Sequence, residues 1–430
     1  MDAQDHRCAG PNMTVRLSAE ENSFVRGDQG AAAGMAMRIV TEMAELMGAD
    51  RLVQISSAHI DGCLYHGDSG VEFAERLVAD GGRVLVPTSL NVGALDLLHP
   101  KVVRADDHRR EMARRLMEAY VKLGCRPTWT CAPYQAGHRP GLGDQIAWGE
   151  SNAVAFANSV LGARTNRYGD FFDICCALVS RAPYTGLHVA GNRHATVLVD
   201  TSSLPLALRR SDVLYPVLGS WLGATVGDLI AVIDGLPPDT TEDQLKALGA
   251  AASSTGAVGM FHVAGVTPEA PDVATALGGL PPTQAFRLTA SVLRDTLDRL
   301  STTESQLVDA VAVGSPHFSM AEFSELERLA GNQTFRVPCY VCTSRNVQAD
   351  LASQGRLANL EALGIIVVVD TCIVVTPILP ADGGVLMTNS GKFAHYTPAN
   401  TGYEVVYGSL ADCVASALTG RVTRDESMWS

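Results

Sequence analysis

From residue 283 onward the chain alternates helical and strand signals without a gap, and no other feature restricts its possible folds as much. Apolar spacing predicts a helix over 283–300, a strand over 308–314, a helix over 320–330 and a strand over 335–344, then a helix over 346–363 and a strand over 365–372. Strands separated by helices of this length cannot pair as hairpins. They line up in parallel, with the helices on the faces of the sheet. The N-terminal part alternates too: helix 31–48 before strand 52–56, helix 69–80 before strand 83–87, and helix 105–123 before an irregular segment at 126–134. Ser18 and Glu21 stand at capping-box spacing ahead of them. The middle is looser, with an apolar run at 195–200, a Gly-broken stretch at 213–229 and a helix start at Thr241. The expected organisation is a loose tail over 1–17, a first α/β region with substrate loops over 18–200, a middle α/β region over 201–302, a doubly wound α/β region over 303–420 and a C-terminal tail over 421–430.

Composition removes several classes of function. A formal net charge of −13 with no concentration of Lys and Arg argues against nucleic acid or an anionic membrane as the main partner. No apolar run approaches the roughly 20 residues a membrane span needs, and no charged-then-apolar leader is present, so the expected address is the cytoplasm. Ten scattered cysteines suit a reduced enzyme rather than a disulfide framework.

In open parallel sheets, ligands gather at the carboxyl ends of strands, so residues there carry the chemical argument. In 311-VAVGSPHFSMAEF-323 the strand is expected to break at Gly314 into a Ser-Pro-His turn. Ser315 then reads as a nucleophile, an anion-binding cap or the seat of another ligand. Cys372 ends the run 365-IIVVVDTC-372 and is either a core thiol or a ligand. Cys131, in the Pro- and Gly-rich loop that begins 128-TWTCAPY-134, is placed to meet Cys372 across a cleft as a cluster or metal ligand. Cys339 and Cys342 form a C-x-x-C inside a predicted strand, where residues three apart face opposite sides, and they read as structural. Cys175 and Cys176 read as packing. Glu150, Ser151 and Asn152 form a polar triplet that either caps a helix or binds substrate. Lys392, in 388-TNSGKFAHY-396, lacks a Walker A loop but can offer a point charge to a carboxylate or phosphate. His59 and His66 read as hydrogen-bonded loop residues, with catalysis or metal binding as the alternative.

Taken together, 56-SSAHIDG-62, 87-PTSLNVGALD-96, 130-TCAPY-134, 148-WGESNAV-154, 314-GSPHFS-319, 370-DTC-372 and 388-TNSGKFAHY-396 resemble the large portion of aconitase X, in order, from about residue 18 to about residue 420. The resemblance implies an aconitase-like α/β fold, with several α/β/α units and mainly parallel sheets around a central active-site cleft. It also implies a hydro-lyase that uses an iron–sulfur cluster as Lewis acid. The known activities of the family are dehydration of cis-3-hydroxy-L-proline to 1-pyrroline-2-carboxylate and dehydration of mevalonate 5-phosphate. The first is expected here, the second is the alternative, and a non-catalytic scaffold subunit is a third reading.

Of the family's three cluster cysteines, the first matches Cys131 and the third Cys372, while Ser315 stands at the second. That departure implies [2Fe–2S] rather than [3Fe–4S] or [4Fe–4S]. The family's substrate-binding positions carry over to Ser56, Ser57, Asn91, Val92, Glu150, Ser151 and Lys392, with Glu150 and Lys392 also expected in catalysis. The swivelling domain with its serine base has no counterpart in the sequence. The expected partner is therefore a small aconitase X subunit that completes a heterodimer.

Overall fold

The computed structural model describes residues 15–429, so most of the expected N-terminal tail over 1–17, and residue 430, lie outside the described residues. Val15 is buried and Arg16 bridges to Arg51. At the other end Arg421 pairs with Leu307 and Trp429 is buried, so the segment expected as a C-terminal tail runs back along the body.

The regular C-terminal pattern folds as a five-stranded, wholly parallel sheet. Its spatial order is Ile365–Val369, Cys339–Thr343, Ala310–Phe318, Val385–Thr388 and Glu404–Tyr407. The chain winds one way from Ala310–Phe318 and then returns to its other side. The topological switch point, where such sheets open a crevice, therefore lies between Ala310–Phe318 and Val385–Thr388.

The strand expected to stop at Gly314 continues to Phe318. Gly314 explains the difference. It sits at φ +93°, and a Cβ there would lie 2.1 Å from the Cys342 carbonyl oxygen, so only glycine lets the strand bend at this point. The register against Cys339–Thr343 shifts between Val313 and Phe318, and Ser315, Pro316 and His317 occupy the irregular part.

Residues 18–200 build a smaller parallel sheet in the order Thr88–Leu90, Ser57–Ile60, Ile146–Trp148. The run 83–87, expected as a strand, is a loop because Val84 and Leu85 donate their N–H groups to the carbonyls of Leu123 and Ala177 at helix ends. Leu52–Gln54 pairs antiparallel with Arg181–Pro183, apart from this sheet.

The middle region forms a four-stranded parallel sheet, Phe261–Val263, Ala231–Asp234, Val197–Asp200, Gln284–Arg287. Its last strand takes up the front of the segment expected as helix 283–300. The helix itself starts at Ala290, capped by the Thr289 hydroxyl.

One apolar cluster runs from Ala58, Ile60 and Leu90 of the three-stranded sheet to Ala312, Cys342 and Val368 of the five-stranded sheet. Polar latches fix the same two units. Gly93 donates to the Asp370 carbonyl at 2.7 Å, Leu97 N–H to Asp370 Oδ2 at 3.1 Å, and Val369 N–H to Asp96 Oδ2 at 3.1 Å. Their carboxyl edges are thereby held against each other.

Candidate active site

The carboxyl edge of the three-stranded sheet delivers one polar residue from each strand: Asp61 after Ser57–Ile60, Asn91 after Thr88–Leu90 and Glu150 after Ile146–Trp148. The five-stranded sheet delivers Ser315 in the irregular end of its central strand, Cys372 beyond Val369, and Lys392 beyond Thr388 in the first turn of the helix Gly391–Thr401. The edges meet at one ion pair, in which Lys392 Nζ donates to Glu150 Oε1 at 2.6 Å. The Lys392 side chain is 15% exposed and that of Glu150 4%, so the pair is shielded from water. Burial opposes the Lys392 charge, but the Glu150 carboxylate bonded to it outweighs that cost and holds the amine protonated beyond the usual lysine range.

Glu150 is also the N-cap of the helix Ser151–Phe156. Its Oε2 accepts from Ala153 N–H at 2.6 Å and from Asn152 Nδ2, and Asn152 Nδ2 also donates to the Cys131 carbonyl at 3.2 Å. The cap expected of this triplet is thus made by Glu150, and the same carboxylate faces Lys392. All of these donors point at its oxygens, so one fixed carboxylate holds Lys392. Gly149 makes this approach possible, since a Cβ there would lie 2.5 Å from Asp173 Oδ2 and 3.0 Å from Asp61 Cβ.

Cys131 and Cys372 are free and buried, and each thiol acts electrostatically on Lys392, as Cys372 does on Cys131. Burial pushes Cys131 up to about 12, with Lys392 and a hydrogen bond from His317 N–H to its Sγ at 3.4 Å pulling the other way. Burial also raises Cys372, against Lys392 and the backbone N–H groups of Val374 and Val375. Two such thiols beside a buried cation suit a metal group whose binding displaces their protons. A third sulfur is missing where Ser315 stands. Among the described residues no three His, Cys, Asp or Glu side chains are grouped to hold a metal ion. The donors fit an iron–sulfur group attached through two thiolates and do not build a three-cysteine site.

His317 does not serve Ser315. Its Nδ1 contacts Thr130 Oγ1 at 2.9 Å and its Nε2 faces the Thr371 carbonyl at 3.3 Å, so it ties the Cys131 loop to the Cys372 loop. Burial lowers it to about 4, which keeps it neutral. Ser315 presents its carbonyl to the Ser390 hydroxyl, the cap of the Lys392 helix. Below this, Lys246, only 2% exposed, donates to the His317 carbonyl at 3.2 Å and pairs with Glu322 at 2.6 Å and Asp243 at 2.7 Å.

The remaining expected residues divide. Asn91 and Val92 are buried beside Asp61, with their carbonyls facing the Cys63 thiol, and Ser151 is half-buried next to Glu150. Ser56 and Ser57 lie at the opposite, amino end of their strand. Ser56 bonds there to the Gln145 carbonyl, and Ser57 is roughly 13 Å along the strand from Asp61. The structure does not bring these two serines to the ion pair. Cys339 and Cys342 face opposite sides of their strand into separate apolar clusters, and Cys175 and Cys176 are buried in the helix Phe172–Val179. His59 is buried against Ser89, while His66 is exposed. Neither the place of Asp61 beside Asn91 nor the bridge His317 makes between two loops follows from sequence spacing alone. The strand-end rule that marks Cys372 applies equally to Asp61 in 56-SSAHIDG-62.

A surface cleft of about 870 Å³ is lined by residues such as Ser301, Thr303, Val422 and Arg424 and by none of these groups.

Three family models match in succession: the aconitase X first domain over residues 14–191, the second domain over 195–298 and the third domain over 308–419. A cis-3-hydroxy-L-proline dehydratase of Pseudomonas aeruginosa is 44% identical over 98% of this chain and 72% of its own length. One of Hypocrea jecorina is 40% identical over 95% and 69%. A phosphomevalonate dehydratase large subunit of Thermococcus kodakarensis is 36% identical over 88% of this chain and 94% of its own. The crystal structure of Thermococcus kodakaraensis aconitase X in its holo-form superposes with a TM-score of 0.83 at 34% identity, covering 94% of this chain and 100% of that one.

Proposed function

Because the chain belongs to the aconitase X family, whose relatives here are named dehydratases, we propose that it is the large component of a hydro-lyase acting on cis-3-hydroxy-L-proline. The observation that carries the reading is the Lys392–Glu150 pair at the junction of two sheet edges, flanked by Cys131 and Cys372. Charge balance favours the amino acid over a phosphorylated substrate. Lys392 is the cation acting on Asp61, Cys131 and Cys372, and it is already paired with Glu150 while further carboxylates surround Asp61. A phosphate would need several converging donors.

Cys131 and Cys372 would hold the iron–sulfur cluster, proposed as [2Fe–2S] because Ser315 replaces a third thiol, and when bound it supplies a Lewis acid for a departing oxygen. Lys392 binds the substrate carboxylate with the ammonium hydrogens that Glu150 leaves free. Glu150, fixed by Ala153 and Asn152, sets the position of that charge. Asn91, Val92 and Ser151 line the approach. The base that takes the α-proton is proposed to lie on a small partner subunit, since the relatives from Thermococcus and the methanogens carry the designation large subunit. Loss of the α-proton and of the 3-hydroxyl as water leaves an enamine, which tautomerises to 1-pyrroline-2-carboxylate.

The test is turnover by the iron-loaded chain with its small subunit, purified without oxygen and offered both substrates. Conversion of cis-3-hydroxy-L-proline alone is expected. Conversion of mevalonate 5-phosphate alone would overturn the reading.

A further inference from the structure

We propose that Asp61 and Asn91 together form a receptor for the substrate's ring ammonium and so make the site selective for a cyclic amino acid over ligands without a cationic nitrogen. The inference deepens the reading above and rests on it. Asn91 Nδ2 donates to Asp61 Oδ1, which turns the two side chains toward each other. Asn91 is 3% exposed, and its Oδ1 has no hydrogen-bond partner among the described residues. A buried acceptor left without a donor is costly and calls for an explanation. Asp61 is only half-buried, and its Oδ2 makes no hydrogen bond to the described residues. The bonded pair thus carries two acceptor oxygens, Asn91 Oδ1 and Asp61 Oδ2, without donors among the described residues. A secondary ammonium carries two N–H donors and one positive charge, which matches both the number and the sign.

The surrounding charges point the same way. Glu150 and Asp170 bear on Asp61 as negative charges, and Lys392 is the opposing cation but is bonded to Glu150. Asp173 accepts the Asp61 N–H at 2.6 Å and adds a further carboxyl. Burial, Glu150 and Asp170 push Asp61 up to about 7, the behaviour of a carboxyl whose counter-ion has yet to arrive. With the ammonium on Asp61 and the carboxylate on Lys392, the two charges of the amino acid would be fixed on opposite sheet edges.

The experiment measures binding by calorimetry to the iron-loaded complex with two probes, L-proline and (S)-tetrahydrofuran-2-carboxylate, which has a ring oxygen and no N–H. Wild type is expected to prefer L-proline by about tenfold to a hundredfold, the worth of a charge-assisted hydrogen bond. Asp61→Asn should reduce that ratio to near one at unchanged iron content. Asp61→Glu, which keeps the charge, should retain part of it and guards against a folding defect in the first variant. If wild type shows the preference and both variants keep it in full, the receptor assignment is wrong while the proposed function stands. If wild type binds neither probe and turns over no cyclic amino acid, both fall.

Discussion

The two sheet edges that meet at Lys392 and Glu150 are built from the same element, the carboxyl end of a parallel strand, yet they carry opposite chemistry. The five-stranded edge brings thiols and a cation, Cys372 and Lys392, with Cys131 docked on it by His317. The three-stranded edge brings acids and an amide, Asp61, Glu150 and Asn91. One edge suits a metal group and an anionic end of a ligand, the other a cationic end. On the proposed reading a zwitterion that loses hydroxide needs both units, and the latches through Asp96 and Asp370 keep them in register.

The sharpest way to break the comparison is to remove a thiol from the first edge. Cys131→Ser or Cys372→Ser is expected to abolish iron binding and with it activity, whereas Cys339→Ser, whose side chain faces a separate apolar cluster, should keep both. Iron content per chain across the three variants decides the point, and equal loss in all three would show that the thiols at the junction hold nothing special.

Next in size is the junction itself. Lys392→Met leaves Glu150 buried without its cation, a situation that costs about 3 to 5 kcal/mol in folding stability. Urea unfolding of the apo chain should show a loss of that order, and Lys392→Arg should recover part of it. A change below about 1 kcal/mol would mean that the pair is more open to water than its burial indicates.

A smaller effect lies in the pH dependence of stability. His138 and His188 are lowered to about 4 by burial, so the unfolded chain binds more protons between about 4 and 6.5, and stability rises with pH there. Asp61 is raised to about 7 and Asp173 to about 8, both chiefly by burial, so from the ordinary carboxylate range up to those values the folded chain binds more protons; the two acids offset the two histidines below about pH 6.5, and above it stability falls. From these four groups, midpoints of thermal unfolding should accordingly change little up to about pH 6.5 and fall above it, and Asp61→Asn should flatten the alkaline side. A midpoint that climbs steadily to pH 8 would contradict the burial of these acids.

The legibility of the two edges differs for a physical reason. Alternating helices and long apolar strands made the five-stranded sheet readable, and with it the strand-end positions of Cys372 and Lys392. The three-stranded sheet uses strands of three or four residues, too short for a period to show, and the expected 83–87 strand is a loop held by helix carbonyls. Ser56 and Ser57, carried over by resemblance, share a motif with Asp61 but sit at the other end of the strand. Gly314 misled for another reason. A glycine after an apolar run usually ends a strand, and here it bends one past the Cys342 carbonyl. The role of His317 depends on two loops, at Thr130 and Thr371, that only the fold brings together.

The central claim is that the two edges work as one site through Lys392 and Glu150, and a double-mutant cycle on kcat/KM for cis-3-hydroxy-L-proline tests it most directly. With Lys392→Met, Glu150→Gln and the double variant measured at equal iron content, the account predicts strong coupling, about 1.5 kcal/mol or more, so that the second substitution costs little once the first is made. Losses that simply add would contradict it, because each residue would then be serving the reaction independently of the other.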